Sequence, residues 1–328
     1  MTKYEITPCP VCRSSSHRVL ADRDGIKREL EALWQFHIRR LKTGAPVEQL
    51  FDRAIFSQNP PLQVVACNEC GLVFRNPRER EEEVLETYEQ EEPSQEAFAS
   101  LFGQQLEFYK PRVDKLTRLA GRPGSVLEVG SYVGGFLRAA ADAGWQARGI
   151  DVNASANQFA LKQGCRVDEH ALHEFETDEK FDAVALWNLF DQLPDPHAAL
   201  ERVNHLVASN GLIAIRVPNG AFYATARRYN RFAGRAMLAW NNLASFPYRH
   251  GFTAESLKRL LSEHGYHIIA SEADTLVSIA SAYTRTWARW EERIVKGVMR
   301  VVLPFKSAPW LEVYARRRVP EPDSPSDY

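Results

Sequence analysis

Residues 125–137 read S-V-L-E-V-G-S-Y-V-G-G-F-L, and this stretch decides the fold. The apolar run at 126–129 predicts a short strand, the glycines at 130, 134 and 135 predict a tight turn, and residues 136–143 have the pattern of a helix. Because glycine has no Cβ, such a turn lets the backbone approach a ligand, and the helix directs its first N–H groups to the same place. The stretch therefore predicts a ligand site above a strand of an α/β sheet.

A carboxylate follows where a nucleoside ligand needs one. Gly149-Ile150-Asp151 ends a second strand pattern, about 20 residues beyond the glycine turn. An acid at the tip of the next parallel strand is placed to accept hydrogen bonds from ribose hydroxyls. Dinucleotide folds use G-x-G-x-x-G, whereas here Glu128 precedes the first glycine and position 132 is tyrosine. The spacing therefore favours a nucleoside over a dinucleotide.

The motif V-L-E-V-G-x-x-x-G resembles motif I of the class I S-adenosylmethionine (SAM)-dependent methyltransferases, with Tyr132 where that family usually has a small residue. Residues 181–196, F-D-A-V-A-L-W-N-L-F-D-Q-L-P-D-P, are similar to the strand-four segment of the small-molecule subfamily labelled type 11 or type 23. Residues 210–219 and 248–266 also resemble that subfamily. The resemblance implies a Rossmann-like α/β sheet of seven strands, mostly parallel, with the last strand antiparallel.

The same resemblance implies which residues bind SAM. Glu128 would contact the methionyl amino group, and Asp151 would hold the ribose. Val152, Leu172 and Trp187 are apolar candidates for flanking the adenine. The full predicted set is Glu128, Gly130, Ser131, Tyr132, Gly134, Asp151, Val152, Leu172, Trp187 and Asn188.

The acceptor side of the predicted site departs from the family pattern. Asp191-Gln192 replace the usual Glu-His pair, whose histidine is close to the reacting centre in some relatives, and an amide cannot take a proton. His250, next to the F-T-x-x-S-L helix start, is the candidate general base, with capping or packing as its alternative role. The predicted substrate-binding residues are Tyr109, Asn219, Arg227 and Tyr248.

An N-terminal module (1–78) contains two C-x-x-C pairs, Cys9 with Cys12 and Cys67 with Cys70. Two matched pairs are typical of zinc knuckles, in which four thiolates surround one structural Zn²⁺, and a redox dithiol or chance spacing is the alternative. The resulting zinc-ribbon-like module contains an insertion, residues 25–58, with the patterns of two helices.

The rest of the chain completes the predicted organisation. An acidic linker or helix (79–99) leads to the methyltransferase domain (100–318), and a Pro-rich polar tail (319–328) is expected to be disordered. Within the domain, residues 221–249 are rich in arginine and aromatic residues and are expected to form a substrate lid or a helix whose arginines face water. The last strand, Trp310 to Arg316, is expected at the antiparallel edge of the sheet.

Residues 284–303 have the pattern of a basic amphipathic helix with tryptophans on its apolar face. Such a helix fits peripheral contact with an anionic membrane. Packing of the apolar face against its own domain is the alternative.

The composition disfavours several classes of protein. The chain has 328 residues with 41 Lys+Arg and 42 Asp+Glu, so no overall positive field attracts nucleic acid. No run approaches the 18 or so apolar residues of a membrane span, and the N-terminus lacks the apolar core of a signal peptide. A cytoplasmic location is therefore expected.

These observations predict methyl transfer from SAM to an O or C nucleophile of a small molecule, such as a sugar, polysaccharide precursor, quinone or natural-product-like acceptor. Two alternatives remain open at this point. One is an RNA methyltransferase that binds RNA through the zinc module and the arginines at 227–235. The other is a SAM-binding protein without catalysis, suggested by Tyr132 and by the lost Glu-His pair.

Overall fold

A computed structural model describes residues 3–45, 62–80, 94–228, 237–241, 243, 248–275 and 283–318. Within these residues the strands are β1 (Tyr4–Glu5), β2 (His17–Ala21), β3 (Val64–Cys67), β4 (Val73–Arg75), β5 (Arg78–Glu79), β6 (Ser125–Val129), β7 (Gln146–Asp151), β8 (Val167–Glu169), β9 (Phe181–Trp187), β10 (Val207–Pro218), β11 (His250–Gly251), β12 (Tyr266–Asp274) and β13 (Trp310–Arg317). The α-helices are α1 (Arg23–Ile38), α2 (Gln95–Ala120), α3 (Gly135–Asp142), α4 (Ala154–Lys162), α5 (Pro196–Leu206), α6 (Gly220–Arg228), α7 (Ala254–Glu263) and α8 (Thr286–Val302).

A seven-stranded sheet in the order β12-β13-β10-β9-β6-β7-β8 forms the centre of the molecule. Six of its strands run in one direction, and β13 is antiparallel to both of its neighbours, β10 and β12. The predicted fold class is confirmed. The predicted edge position of the last strand is wrong, because β12, which the sequence pattern did not locate, pairs with β13 on its outer side.

Both faces of this sheet are buried. Leu127, Val129 and Leu186 pack into one core, and Val126 and Ala185 pack into a second core on the opposite face. Successive residues of a strand point to opposite faces, so a strand covered on both sides has an almost continuous apolar sequence. The six parallel strands all end at one edge, called here the carboxyl edge, where ligands bind in folds of this type.

Local sequence signals set most helix boundaries. Asn153 and Thr253 act as N-caps of α4 and α7, and Thr253 forms a reciprocal capping box with Ser256. Helix α2 begins after the N-cap Ser94, about five residues before the predicted start, and ends at Gly121 with a left-handed φ of 86°. This helix packs mainly on α3, directly beside the glycine turn.

The N-terminal module is not a separate body. Its strands form a sheet in the order β11-β4-β3-β2, and β11 comes from much later in the chain, after β10 of the large sheet. Cys67, Leu72 and Phe74 share one apolar core with Phe190 and Phe252. The predicted first helix of the insertion is present as α1. The second predicted helix, most of the acidic segment, much of the predicted lid and the tail lie outside the described residues.

Candidate functional site at the carboxyl edge

The glycine turn between β6 and α3 folds tightly against the end of β7. The N–H groups of Gly130 and Ser131 both donate to the carbonyl oxygen of Ile150, at 2.8 and 3.1 Å. Gly130, Tyr132 and Gly134 have left-handed φ angles of 74°, 45° and 80°. This conformation places the turn at the carboxyl edge, where the sequence predicted a ligand site.

The helices around the turn leave no room for a side chain at two of its glycines. A Cβ at Gly134 would lie 3.1 Å from the Cβ of Ala160 in α4, and a Cβ at Gly135 would lie 2.4 Å from the Cβ of Gln105 in α2. Glycine is therefore required here for close packing of α2 and α4 on the turn.

Two buried oxygens below the turn lack a hydrogen-bond partner among the described residues. Glu128 is 2% exposed, and neither its Oε2 nor the hydroxyl of Ser131 is paired. Burial, together with the nearby charge of Asp151, raises the pKa of Glu128 well above its ordinary value. Buried polar groups are usually paired, so an unpaired acceptor at a ligand site indicates that the ligand supplies the donor.

Asp151 lies at the tip of the neighbouring strand and faces the turn. Its Oδ2 accepts from the N–H of Tyr132 at 2.9 Å, and its Oδ1 accepts from the N–H of Asn153 at 2.9 Å. Burial raises the pKa of Asp151, while these backbone hydrogen bonds lower it. Each carboxylate oxygen can accept a further hydrogen bond, so the arrangement is compatible with the predicted ribose contact.

Tyr132 packs against the helices beside the turn. Its ring lies edge-on to Phe98 of α2, with the ring centroids 5.8 Å apart, and belongs to a cluster that includes Phe159 of α4. Tyr132 stands where the family pattern usually has a small residue, and its ring contributes to the contact between the turn and α2.

An aromatic wall lies next to the turn on the face covered by α2. Tyr109 of α2, Phe136 of α3 and Trp187 at the end of β9 contact one another, with ring centroids 5.5 to 5.9 Å apart. The indole N–H of Trp187 lacks an acceptor among the described residues. A polar donor in an apolar wall is typical of a small-molecule pocket.

Asn188 follows Trp187 and has a left-handed φ of 55°. Its Nδ2 lies 3.5 Å from the hydroxyl of Tyr109, and its Oδ1 accepts from the guanidinium of Arg216. A non-glycine residue in this conformation is often part of a functional site. The tip of β9 is thus fixed from two sides.

Arg216 belongs to a buried ion-pair network that the sequence analysis did not identify. Its Nε donates to Asp274 Oδ2 at 2.5 Å, and its Nη2 donates to the carbonyl oxygen of Thr275 at 2.6 Å. Arg112 of α2 donates to the same Asp274 oxygen at 2.7 Å and forms an ion pair of 2.8 Å with Glu312. An arginine within the apolar strand pattern G-L-I-A-I-R-V is the signal that would have indicated this network.

Asp191 occupies the position where the family pattern has glutamate. It is fully buried, and both of its carboxyl oxygens lack a partner among the described residues. Its carbonyl oxygen accepts from the N–H groups of Arg249 and His250, each at 3.0 Å. Burial raises the pKa of Asp191 to about 8, so the carboxyl group is mostly protonated at neutral pH.

His250, the candidate base, lies in β11 and pairs with Phe74 of β4. It is 1% exposed, and burial followed by the charges of Arg78, Arg249 and Arg75 holds its pKa well below its ordinary value. The histidine is therefore neutral and enclosed by the junction between the two sheets. These surroundings favour its alternative role in packing, and the catalytic role stays a prediction.

The predicted substrate residues do not all face one space. The side-chain amide of Asn219 is used internally, because it donates to the carbonyl oxygens of Lys306 and Ala308 and accepts from the N–H of Ala221.

Arg227 lies at the contact between α6 and α1. It pairs with the buried Glu29 of α1 and donates to the carbonyl oxygen of Leu20 at 3.2 Å. Tyr248 packs edge-on against Trp310, with the ring centroids 5.5 Å apart. Of the four predicted substrate residues, Tyr109 alone is part of the aromatic wall.

The three residues predicted to flank the adenine also lie in different parts of the structure. Leu172 packs in the core on one face of the sheet, and Trp187 packs in the core on the other face. The structure therefore does not bring these two side chains together around one ring. Val152 is half-buried directly after Asp151, close to the predicted ribose contact.

The four paired cysteines meet at one point. Their sulfur atoms all lie within 4.8 Å of one another, with Cys9 and Cys70 3.5 Å apart and Cys12 and Cys67 3.4 Å apart. Each C-x-x-C turn is closed by an N–H of the residue after its second cysteine, which donates to the carbonyl oxygen of the first. Those two residues, Arg13 and Gly71, both have left-handed φ angles.

This donor set fits a tetrahedral zinc ion. Thiolates bound at about 2.3 Å around one Zn²⁺ lie about 3.8 Å apart, close to the spacings found here. A hydrogen bond from Cys70 lowers the pKa of the Cys9 thiol, which favours the thiolate form that binds zinc. Cys165, the fifth cysteine, lies elsewhere, with its Sγ 3.5 Å from the carbonyl oxygen of Gly134.

A comparison with protein families finds one match in this chain. A family profile described as "Methyltransferase domain" matches residues 102–271, just over half of the chain. The matched range includes the glycine turn, Asp151, the tip of β9, Arg112 and Arg216. No curated protein matches the chain significantly.

Several solved structures are similar in fold. A SAM-dependent methyltransferase from Archaeoglobus fulgidus is 18% identical, with a TM-score of 0.44, covering 65% of this chain and 94% of its own. An S-adenosylmethionine-dependent methyltransferase from Mesorhizobium loti is 15% identical, with a TM-score of 0.45, and covers 63% and 96%. Magnesium protoporphyrin IX methyltransferase from Synechocystis is 14% identical, with a TM-score of 0.44, and covers 71% and 92%.

Proposed function

The chain belongs to the methyltransferase-domain family of class I SAM-dependent enzymes, and we propose that it methylates an O or C nucleophile of a small molecule. The observation that carries the proposal is the pair of unpaired acceptors, Glu128 and Ser131, beneath the glycine turn. Sugars, polysaccharide precursors, quinones and natural-product-like molecules are the acceptor classes that we propose to test.

The residues at the turn fit the cofactor. Glu128 would bind the methionyl ammonium group, whose N–H donors match the missing partner of this buried carboxylate. Gly130 and Gly134 would allow close approach of the backbone, and Asp151 would accept from the ribose hydroxyls. Bound SAM supplies a methyl group on a sulfonium centre, which is a good leaving group.

The protein's main task is then to align the acceptor and exclude water. Tyr109, Phe136 and Trp187 form an apolar wall beside the turn, and the wall limits water at the position of transfer. Arg216 holds the side chain of Asn188, so that its amide faces Tyr109 at the tip of β9. A proton acceptor is needed only for an acceptor that must lose a proton, and His250 stays the sequence-based candidate for it.

Titration calorimetry with SAM and with its demethylated product, S-adenosylhomocysteine, tests the proposal. We expect both to bind, and we expect S-adenosylhomocysteine to accumulate with at least one acceptor class. Absence of binding by either ligand would remove the enzyme assignment. Binding without turnover on every acceptor class would favour the non-catalytic alternative, and salt-sensitive retention on RNA would favour the RNA alternative.

We also propose that Cys9, Cys12, Cys67 and Cys70 hold one structural Zn²⁺. The module shares its core with the methyltransferase domain, so the ion would stabilise both. Metal analysis of the purified protein should give about one zinc per chain. Cys12→Ser should lose most of it, and the matched control Cys165→Ser should retain it, because Cys165 lies outside the cluster. Equal zinc content in the two variants would contradict this site.

A further inference from the structure

Helix α8 presents a long apolar stripe to solvent. Large side chains recur every three or four residues along one face and are between 46% and 87% exposed. They are Trp287, Trp290, Ile294, Val298, Val301 and Val302. Six of the eleven large apolar side chains exposed in the described part of the chain thus lie on this helix. Scattered exposed apolar residues are common, but a contiguous patch with two tryptophans marks an interaction surface.

The opposite side of α8 is firmly packed, so the exposed stripe does not result from a loose helix. Val295 and Met299 contact a cluster that contains Phe36 and Trp240. Arg40 donates to the carbonyl oxygen of Ala288 at 2.7 Å and thereby ties the first turn of α8 to the end of α1. The helix is therefore held to the domain by one face, while the side chains of its apolar stripe are exposed.

The charges around the stripe are predominantly positive. Arg289, Arg293 and Arg300 are exposed and follow one border of the stripe, and Arg39 lies at the other border, 3.9 Å from Glu291. The two acids of α8 are already engaged, because Glu291 pairs with Arg40 and Glu292 pairs with Lys296. Residues 285–302 carry five basic and two acidic side chains, so the helix combines its exposed apolar stripe with a local excess of positive charge.

We propose that this face of α8 docks on an anionic lipid surface. Tryptophan side chains favour the boundary between headgroups and acyl chains, and arginines at the same level attract anionic headgroups. A second copy of the chain is the weaker fit, because pairing two such faces would bring their arginines together. None of the described helices is long and apolar enough to cross a bilayer, so the contact would be peripheral.

Helix α8 lies near the candidate site at the carboxyl edge. Arg300 lies 3.7 Å from Asp274, the same carboxylate that binds Arg216. Arg216 in turn holds Asn188 at the tip of β9. A lipid surface under α8 would thus lie close to the acceptor side of the carboxyl edge. Docking itself does not depend on the proposed function and is tested without an activity assay.

Sedimentation with lipid vesicles tests the proposal. The wild-type protein should sediment with vesicles that contain phosphatidylserine and should stay in solution with pure phosphatidylcholine. Added salt should weaken the binding, because exposed charges are screened. The double variant Trp287→Ala/Trp290→Ala should bind at least about tenfold more weakly, since it loses most of the buried apolar area. Arg289→Gln/Arg293→Gln should lose about tenfold through the electrostatic part.

Leu161→Ala is the matched control, because Leu161 is 53% exposed on α4, away from the stripe. It should bind vesicles like the wild type, and all variants should keep the wild-type melting temperature and SAM affinity. No sedimentation with anionic vesicles, equal sedimentation with neutral ones, or undiminished binding by the tryptophan variant would overturn the proposal. A concentration-dependent dimer that the tryptophan variant abolishes would replace the lipid surface with a second copy of the chain.

Discussion

Two groups of buried polar residues lie at the carboxyl edge of one sheet, and their hydrogen bonding differs. Around Arg216 the charges satisfy one another, since Asp274 binds both Arg216 and Arg112, and Glu312 pairs with Arg112. Around the glycine turn, Glu128 and Ser131 keep acceptors without partners among the described residues. We interpret the first group as part of the scaffold, and we propose that the second binds a ligand.

This difference gives a general way to separate scaffold from ligand site. A buried charge is costly unless it is paired, so buried charges that pair with one another need no ligand to offset the cost of their burial. An unpaired buried carboxylate destabilises the free protein and is relieved when a cationic ligand binds. Substitutions in the two groups should therefore affect different measurements, with stability changing in the first and ligand affinity in the second.

The largest effect is expected for Arg216→Met. The substitution leaves Asp274 with one cationic partner fewer in a buried site and removes the donor that holds Asn188. Breaking a buried pair in this way should lower the free energy of unfolding by about 3–5 kcal/mol, measured by urea denaturation. Arg259→Met is the control, since its pair with Glu263 lies on the surface and should contribute little to stability. Similar losses in the two variants would contradict a scaffold role for Arg216.

Glu128→Gln should change ligand affinity rather than stability. It should weaken SAM binding about 10- to 100-fold in calorimetry, which is the loss expected for a hydrogen bond between charged groups. The free energy of unfolding should stay the same or rise, because a poorly solvated carboxyl group is replaced by a neutral amide. Unchanged affinity accompanied by a loss of stability would place Glu128 in the scaffold.

Much of the fold could be predicted from the sequence alone. The glycine turn, the acid at the next strand tip and both C-x-x-C pairs are local patterns, and each was located correctly. The sheet class followed from alternating apolar strands and helices. Helix α8 was also identified, but whether its apolar face was covered depended on how it packs, which no periodicity reveals.

What the sequence missed depends on contacts between distant segments. The pairing of His250 with Phe74 joins the two sheets, and nothing near either residue indicates it. Arg227 was predicted to meet a substrate, yet its partner is Glu29, almost two hundred residues earlier in the chain. The insertion of β13 between β10 and β12 likewise follows from strand order rather than from strand sequence.

Asp191, just beyond the end of β9, is another buried carboxyl group without a partner among the described residues. The pH dependence of stability tests whether it belongs to the same group as Glu128 and Ser131. Its folded-state pKa is raised from 3.8 to about 8, so the folded protein binds an extra proton across this pH window. The stabilisation from this group is complete below the unfolded pKa and is lost as the pH rises through the folded pKa.

The contribution of Asp191 to the free energy of unfolding should change by at most about 1.4 kcal/mol for each pH unit. Urea denaturation of wild type and Asp191→Asn at about pH 5.5 and about pH 7.5 measures it. The stability of the variant relative to the wild type should increase at the higher pH. If the difference in stability between the wild type and Asp191→Asn did not depend on pH, Asp191 would be ionised or paired in the folded protein.

The smallest effect is expected for Ser131→Ala. The hydroxyl of Ser131 has no partner among the described residues, so its removal should change the free energy of unfolding by less than about 1 kcal/mol. SAM affinity should fall by a few-fold at most if the hydroxyl binds the ligand. Ser125→Ala is the contrasting control, because the Ser125 hydroxyl is paired with Asp182 at 3.1 Å. Its removal should lower the free energy of unfolding.

The most direct test counts the protons released when SAM binds. Glu128 in the free protein has a raised pKa, and an ammonium group bound beside it should lower that pKa, so binding should release protons. Calorimetry in buffers of different ionisation enthalpy, below about pH 7 where the ligand's amino group stays protonated, measures this release. The wild type should release protons and bind more tightly as the pH rises, whereas Glu128→Gln should show a much smaller release and a flatter pH dependence. Equal proton release by the two proteins would contradict the assignment of Glu128 as the partner of the cofactor.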